Sequence, residues 1–387
     1  MGKMRIIIVV LAVLGLLGGA VGQRYLNKDR KEEPTQVEAP RYTLATDSFS
    51  LKYFQHSLKE KEKGNVLVAP HVVSDALLSL QDIASGKTLE ELQALQLTPT
   101  NILRATEPTR ASLLAIDLNV NRGKEARNVM PLPFSENVPM ALSIYNGMLT
   151  SVLGEEEGQL ADSKMVTSRT KLLAGAAVKL HNEWQIPFNQ ANSRTADFDS
   201  QSGGMPHFCQ MRSRGMYRTV AAEDGSWKAV AIPFKAEMQN VPELVCIAIL
   251  PAGTARDFAA SLRPEVLTDI RRKLSEAEPQ DTLVEIPRLE LQVLPFDLRD
   301  SLRRMGLKAL FDIETADFSR LSQDKIHLGS FVHACSISLV ESSAPSKVDD
   351  SLDYAAAIIS FARPFLWMVT DLETDTPIEF MGLVEEM

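Results

Sequence analysis

Cysteine is scarce in this sequence: Cys209, Cys246 and Cys335 are the only three in 387 residues, an odd set without metal-like spacing. A disulfide framework is therefore not expected, and a chain of this length can bury a core without one. Each thiol reads as a small buried apolar residue. Dense basic clusters are missing too. Forty-one Lys and Arg against fifty Asp and Glu leave a net charge of −9, which argues against a nucleic-acid partner, because phosphate binding requires a concentrated basic surface. The short runs "RRKL" (Arg271 to Leu274) and "RRM" (Arg303 to Met305) fit ordinary solvated helix faces, so no heparin-like site is expected. Signatures of catalysis are absent as well. There is no G-x-S-x-G and no H-E-x-x-H, hence no sign of an activated serine or a zinc pair. Gly86-Lys87-Thr88 looks like the tail of a phosphate loop, but Gln81 stands where a first glycine must let backbone amides wrap the anion. His327, His333 and Cys335 share a face if their stretch is one continuous strand, but without a fourth ligand a buried core histidine is the better reading. Neither an enzyme nor a cofactor is expected.

What the chain does contain is a normal globular balance, 45% hydrophobic and 24% charged residues, enough for a sizeable core. Lys3 and Arg5, the apolar run Ile6 to Leu17 and the small residues Gly18 to Gly22 compose an export signal over residues 1–22, with cleavage near Gly22–Gln23. The alternative is a retained membrane anchor, since the apolar run through Gly22 approaches the lower limit of about 17 residues for a spanning helix. Either way the body is placed outside the cytoplasm, secreted or periplasmic. Residues 23–41, charged and with two prolines, have linker composition. One domain is expected from 42 to 387. Helical spacing of Phe49, Tyr53 or Phe54, and Leu58 predicts an early helix, and "SDALLSLQDIAS" predicts another, capped at Ser74. Further on, "AVAIPF", "ELVCIAILP", "TLVEIPRLELQVL", "IHLGSFVHACSISLVE" and "FLWMVT" are strand-like, with helical patterns at "TARDFAASLRPEVLTDIRRKL" and "DLRDSLRRMGL". Their irregular order makes the class α+β.

The segment Ile359 to Glu386, "ISFARPFLWMVTDLETDTPIEFMGLVEE", is similar to the C-terminal signature of the serpins, with Pro364-Phe365-Leu366 and Phe380-Met381-Gly382 as the matching elements. "NVLVAPHVVSDAL", "ASGKTLEEL", "EWQIPFNQANSRTADF", "AIPFKA", "AILPAG", "IPRLEL" and "MGLKALFDIETADFS" follow in the family's order. The match is good from about Gly175 onward, and weakest and shortened from Arg104 to Lys171. The resemblance implies a metastable monomer of three β-sheets and eight or nine helices, with an exposed reactive loop that a serine protease takes as false substrate. After cleavage the loop inserts into the large sheet, and strain stored in the fold is released.

On that resemblance the reactive loop covers about 342–360. Glu341 matches the acidic residue at its base, and Ser342, Ser343, Ala344, Pro345 and Ser346 form the hinge. Ala344 and Ser346 are small enough to enter a sheet. Pro345 lacks the amide hydrogen that a mid-sheet strand must donate, and strict alternation would bury Asp350 beside Val348. Where the family keeps a polar latch of serines and asparagine around a histidine, this chain keeps His333 but has Ala69, Val72 and Ala176. The loop is also roughly four residues shorter than the family's usual loop. Counting from Glu341 places the bait residue at Ala357; counting back from Pro364-Phe365 places it at Asp353. Between them, Tyr354 suits a chymotrypsin-like protease and Ala355, Ala356 and Ala357 an elastase-like one, because the primary pocket reads side-chain size. A non-inhibitory serpin with a binding or chaperone role is the alternative that the altered hinge supports.

Overall fold

The computed structural model describes residues 44–97, 109–123, 129–154, 158–181, 183–200, 204–235, 243–342, 347–372 and 378–387. The expected export signal and linker, and the hinge residues Ser343, Ala344, Pro345 and Ser346, lie outside the described residues.

Helix α1 (Leu44–Glu60) buries Phe49, Tyr53, Phe54 and Leu58, the face its spacing requires. A short strand β1 (Val66–Val68) leads into α2 (Pro70–Ile83). Ser74 is not its cap. The helix starts one turn earlier because Pro70 at its first position presets φ and needs no amide partner, and Ser74 is buried inside. Helix α3 (Gly86–Gln93) absorbs the phosphate-loop look-alike: Gly86 opens it at φ +49°, and the Thr88 hydroxyl accepts from the Asp317 amide at 2.9 Å.

The five-stranded sheet is built from β2 (Thr109–Asp117), β3 (Val129–Leu132), β4 (Leu172–His181), β10 (Leu289–Asp297) and β11 (Leu328–Leu339), in the order β10-β11-β4-β2-β3. Strand β4, "LLAGAAVKLH", is buried on both faces. Alternation sends Leu172, Ala174, Ala176 and Val178 into the main core with α1 and α2, and Leu173 and Ala177 into a second cluster under α4 (Val138–Leu153). Tyr145 of α4 stands directly on Gly175, where no side chain fits beneath its ring, and its hydroxyl donates to the Leu113 carbonyl at 3.3 Å.

The other sheet runs β1-β14-β13-β8-β7-β6-β9-β12, with β5 (Arg194–Asp197) also on β6. Its strands are β6 (His207–Ala221), β7 (Trp227–Pro233), β8 (Leu244–Pro251), β9 (Gln280–Pro287), β12 (Ala357–Ser360), β13 (Phe365–Asp371) and β14 (Phe380–Val384). The long β6 serves two neighbourhoods: Gln210 to Tyr217 pair with β9, and Arg218 to Ala221 with β7. The expected three sheets are thus present, two of them joined along one strand. Strand β13 is buried throughout, and Trp367 lies over Gly382 of β14 so closely that an added Cβ would meet the indole at 2.5 Å.

Helices α5 (Ala255–Ser261), α6 (Pro264–Glu276) and α7 (Arg299–Arg304) complete seven α-helices among the described residues. Among the described residues, the stretch from Arg104 to Lys171 contributes strands β2 and β3 and one α-helix, α4. Arg271 of α6 is fully buried and ion-paired with fully buried Asp47 at 2.6 Å, tying α6 to α1.

Candidate functional site: the exposed loop and the seam beneath it

Strands β4 and β11 are parallel neighbours, in register from Leu328 opposite Leu172 to Ser338 opposite His181 with one shift near Gly329. They end together, and from that end the chain leaves the sheet toward the loop. The exit is fastened. Trp184, stacked on Phe234 at 4.7 Å, donates its indole N–H to the Val340 carbonyl at 2.8 Å. Glu341 accepts from the Ser193 hydroxyl at 2.8 Å and from the Cys209 thiol at 3.3 Å, with Arg288 at 3.9 Å. Burial works to raise the Glu341 pKa, but these donors and the nearby cation bring it below the usual carboxylate value. Ser342 pairs with Asn189 as an isolated parallel bridge, its amide donating to Phe188 at 2.8 Å.

Cys246 and Cys335 are buried as expected. Cys209 is not: it is exposed, because β6 turns that side of the strand to solvent at the loop's base. Burial and the Glu341 carboxylate raise its pKa.

Beyond the hinge, Asn189 donates to the Lys347 carbonyl at 2.8 Å, and Asn192 accepts from the Asp349 amide at 2.9 Å. Asp350 is exposed. Residues Leu352–Tyr354 form a single 3₁₀ turn with Leu352 buried and Tyr354 79% exposed. Asp353 and Tyr354 sit in that turn, and Ala355 and Ala356 follow it. Ala357, the other counted bait position, already belongs to β12, opposite Thr282 of β9 in a parallel ladder. The candidates therefore fall in different structural settings; Asp353, Tyr354, Ala356 and Ala357 are all exposed, and Tyr354 is the large aromatic side chain among them.

Ala69, Val72 and Ala176 belong to the main core, and His333, like them, is almost wholly buried. His333 lies opposite Ala176, and its Nδ1–H donates to the Ala176 carbonyl at 2.7 Å, which makes Nδ1 the protonated nitrogen. Phe296 meets the ring edge-on at 6.0 Å, and Nε2 has no hydrogen-bond partner among the described residues. Burial pushes the His333 pKa down to about 4, against the Ala176 hydrogen bond, which raises it. His327 precedes β11 and is half-buried; among the described residues no group of His, Cys, Asp and Glu could hold a metal ion.

Trp184, Asn189 and Asn192 carried no assigned role in the sequence. Their signal was a stretch, "EWQIPFNQAN", matched only as a family block. What they do depends on residues about 150 positions away.

A five-stranded sheet with parallel central strands, bridged at one end by an exposed uncleaved loop to a strand of a second sheet, defines a loop-presenting scaffold. The family model for serpins (serine protease inhibitors) matches residues 129–387, and the chain belongs to the serpin family. Among curated relatives it is 24% identical to plasminogen activator inhibitor 1 of Bos taurus, over 91% of this chain and 94% of that protein. It is 22% identical to Serpin B5 of Mus musculus, over 78% and 88%. Among solved structures the fold is similar to a crystal structure of maspin, with TM-score 0.76 at 20% identity, covering 89% of this chain and 98% of that one. It is also similar to uncleaved ovalbumin, with TM-score 0.76 at 16% identity, covering 89% and 99%.

Proposed function

We propose that this serpin inhibits a chymotrypsin-like serine protease outside the cytoplasm, offering the bond Tyr354–Ala355 as false substrate. The observation that carries the reading is the projection of Tyr354 from the turn between β11 and β12. A large aromatic side chain in that position fills a deep apolar primary pocket. Chain length is compatible with insertion after cleavage. Ser342 through Tyr354 spans thirteen residues, about 43 Å when extended, and β11 is 12 residues long. The apolar run after Lys3 and Arg5 supports export, as a cleaved signal or a retained anchor. No helix among the described residues is long and apolar enough to cross a membrane.

The test is incubation with chymotrypsin, elastase and trypsin, followed by denaturing gels and melting. A detergent-stable band at the summed mass with chymotrypsin supports inhibition. Clean cleavage with no complex and no rise in Tm removes it.

A second reading, a serpin scaffold used for binding, is favoured by Pro345, which cannot donate to a sheet ladder. Under it, Pro345→Ala raises the fraction of chain trapped as complex, because the restored amide permits hinge entry.

A further inference from the structure

The loop is held between its ends. Along β6, Arg212 and Arg214 share a face, as strand alternation dictates, and both reach the loop. Arg214 makes two parallel hydrogen bonds to Asp281 of β9, Nε to Oδ1 and Nη2 to Oδ2, each 2.7 Å. Its Nη1 donates to the Ser351 carbonyl at 2.6 Å. Asp281 Oδ2 accepts in turn from the Ala356 amide at 3.3 Å. Arg212 divides itself likewise, with Nε on Glu285 at 3.0 Å and Nη2 on Asp353 at 3.2 Å. Contacts thus fall before, within and after the 3₁₀ turn, and the Leu352 side chain is buried between them. Hydrogen bonds from Arg214 hold the Asp281 carboxyl below the usual carboxylate range.

The backbone of the turn is wrong for a protease. Ser351 has φ −78° and ψ −12°, and extended geometry returns only at Ala355, with φ −63° and ψ 142°. A serine protease must set the bait carbonyl between its nucleophile and its oxyanion donors, and small misplacements of that carbonyl cost large factors in rate. Cleavage after Tyr354 therefore requires the turn to unroll, which withdraws Leu352 and breaks the contacts of Arg214 and Arg212.

We propose that Arg214, locked on Asp281, is a positioning residue that keeps the bait turn wound and so restrains attack on the loop. This rests on reading Tyr354–Ala355 as the bait bond. The clamp acts as a gate within the loop's own footing: a partner that competes for Arg214 or Asp281 would release the turn.

The experiment uses the full chain and its variants Arg214→Met, Asp281→Asn and, as a remote loss of one charge, Arg272→Met on α6. Initial rates of chymotrypsin cleavage at 354–355 are read by mass spectrometry, and amide exchange at Tyr354, Ala355 and Ala356 is read in parallel. Folding is checked by Tm. Both clamp variants should be cleaved and should exchange about tenfold faster or more, with Arg272→Met like the parent. Faster exchange without cleavage at 354–355 supports the clamp and sinks the bait assignment. Unchanged exchange in Arg214→Met and Asp281→Asn overturns the clamp, whatever the cleavage rates.

Discussion

Protonation of His333 provides a way to weigh the seam. In the folded chain its pKa is pushed down to about 4, against about 6.5 in an unfolded chain. The folded pKa lies below the unfolded one, so the neutral ring's contribution is complete above pH 6.5 and is lost as pH falls toward 4. At pH 4.5 the unfolded chain has taken up the proton and most folded molecules have not. Linkage then lowers stability by about 2.5 kcal/mol relative to pH 7 through this residue alone. His333→Asn keeps an N–H where Nδ1 stands and can still serve the Ala176 carbonyl, but it does not titrate. Urea unfolding of parent and variant at pH 7.0 and 4.5 isolates the effect, because the carboxylates titrate alike in both. The parent should lose about 2.5 kcal/mol more than the variant between the two pH values. Equal losses would refute the picture of a buried, neutral imidazole at the β4–β11 seam.

Other consequences can be measured separately. Tyr354→Arg should move loop cleavage from chymotrypsin toward trypsin, with the ratio of kcat/KM values changing by about 100-fold or more, because a charged residue suits only a pocket with a buried carboxylate. Arg271→Met leaves Asp47 as a buried carboxylate without its cation. Denaturant unfolding should show a loss of about 3–5 kcal/mol. Gly175→Ala puts a methyl group into the space of the Tyr145 hydroxyl and should cost about 1–3 kcal/mol in the same assay through overpacking. The change in Tyr145 near-ultraviolet signal would show whether α4 has lifted from the sheet.

Much of this molecule is local, and the sequence by itself determined that part. The helical stripe of Phe49, Tyr53, Phe54 and Leu58, the strand runs of β7 to β11 and β13, and the Phe380-Met381-Gly382 signature each follow from side-chain period or a short motif. Burial of His333, Cys246 and Cys335 was legible for the same reason. Ser74 and Cys209 were misplaced because a start fixed by Pro70 and the outward face of β6 depend on what packs nearby. The tertiary structure alone decided the rest of the site. Trp184 reaches Val340, Arg214 reaches both Asp281 and Ser351, and His333 faces Ala176, all across 67 residues or more. No period or motif encodes such pairs, since they arise only when separate strands settle side by side. Whether the exposed loop is free or clamped is a property of that settlement, set by which face of β6 turns toward it.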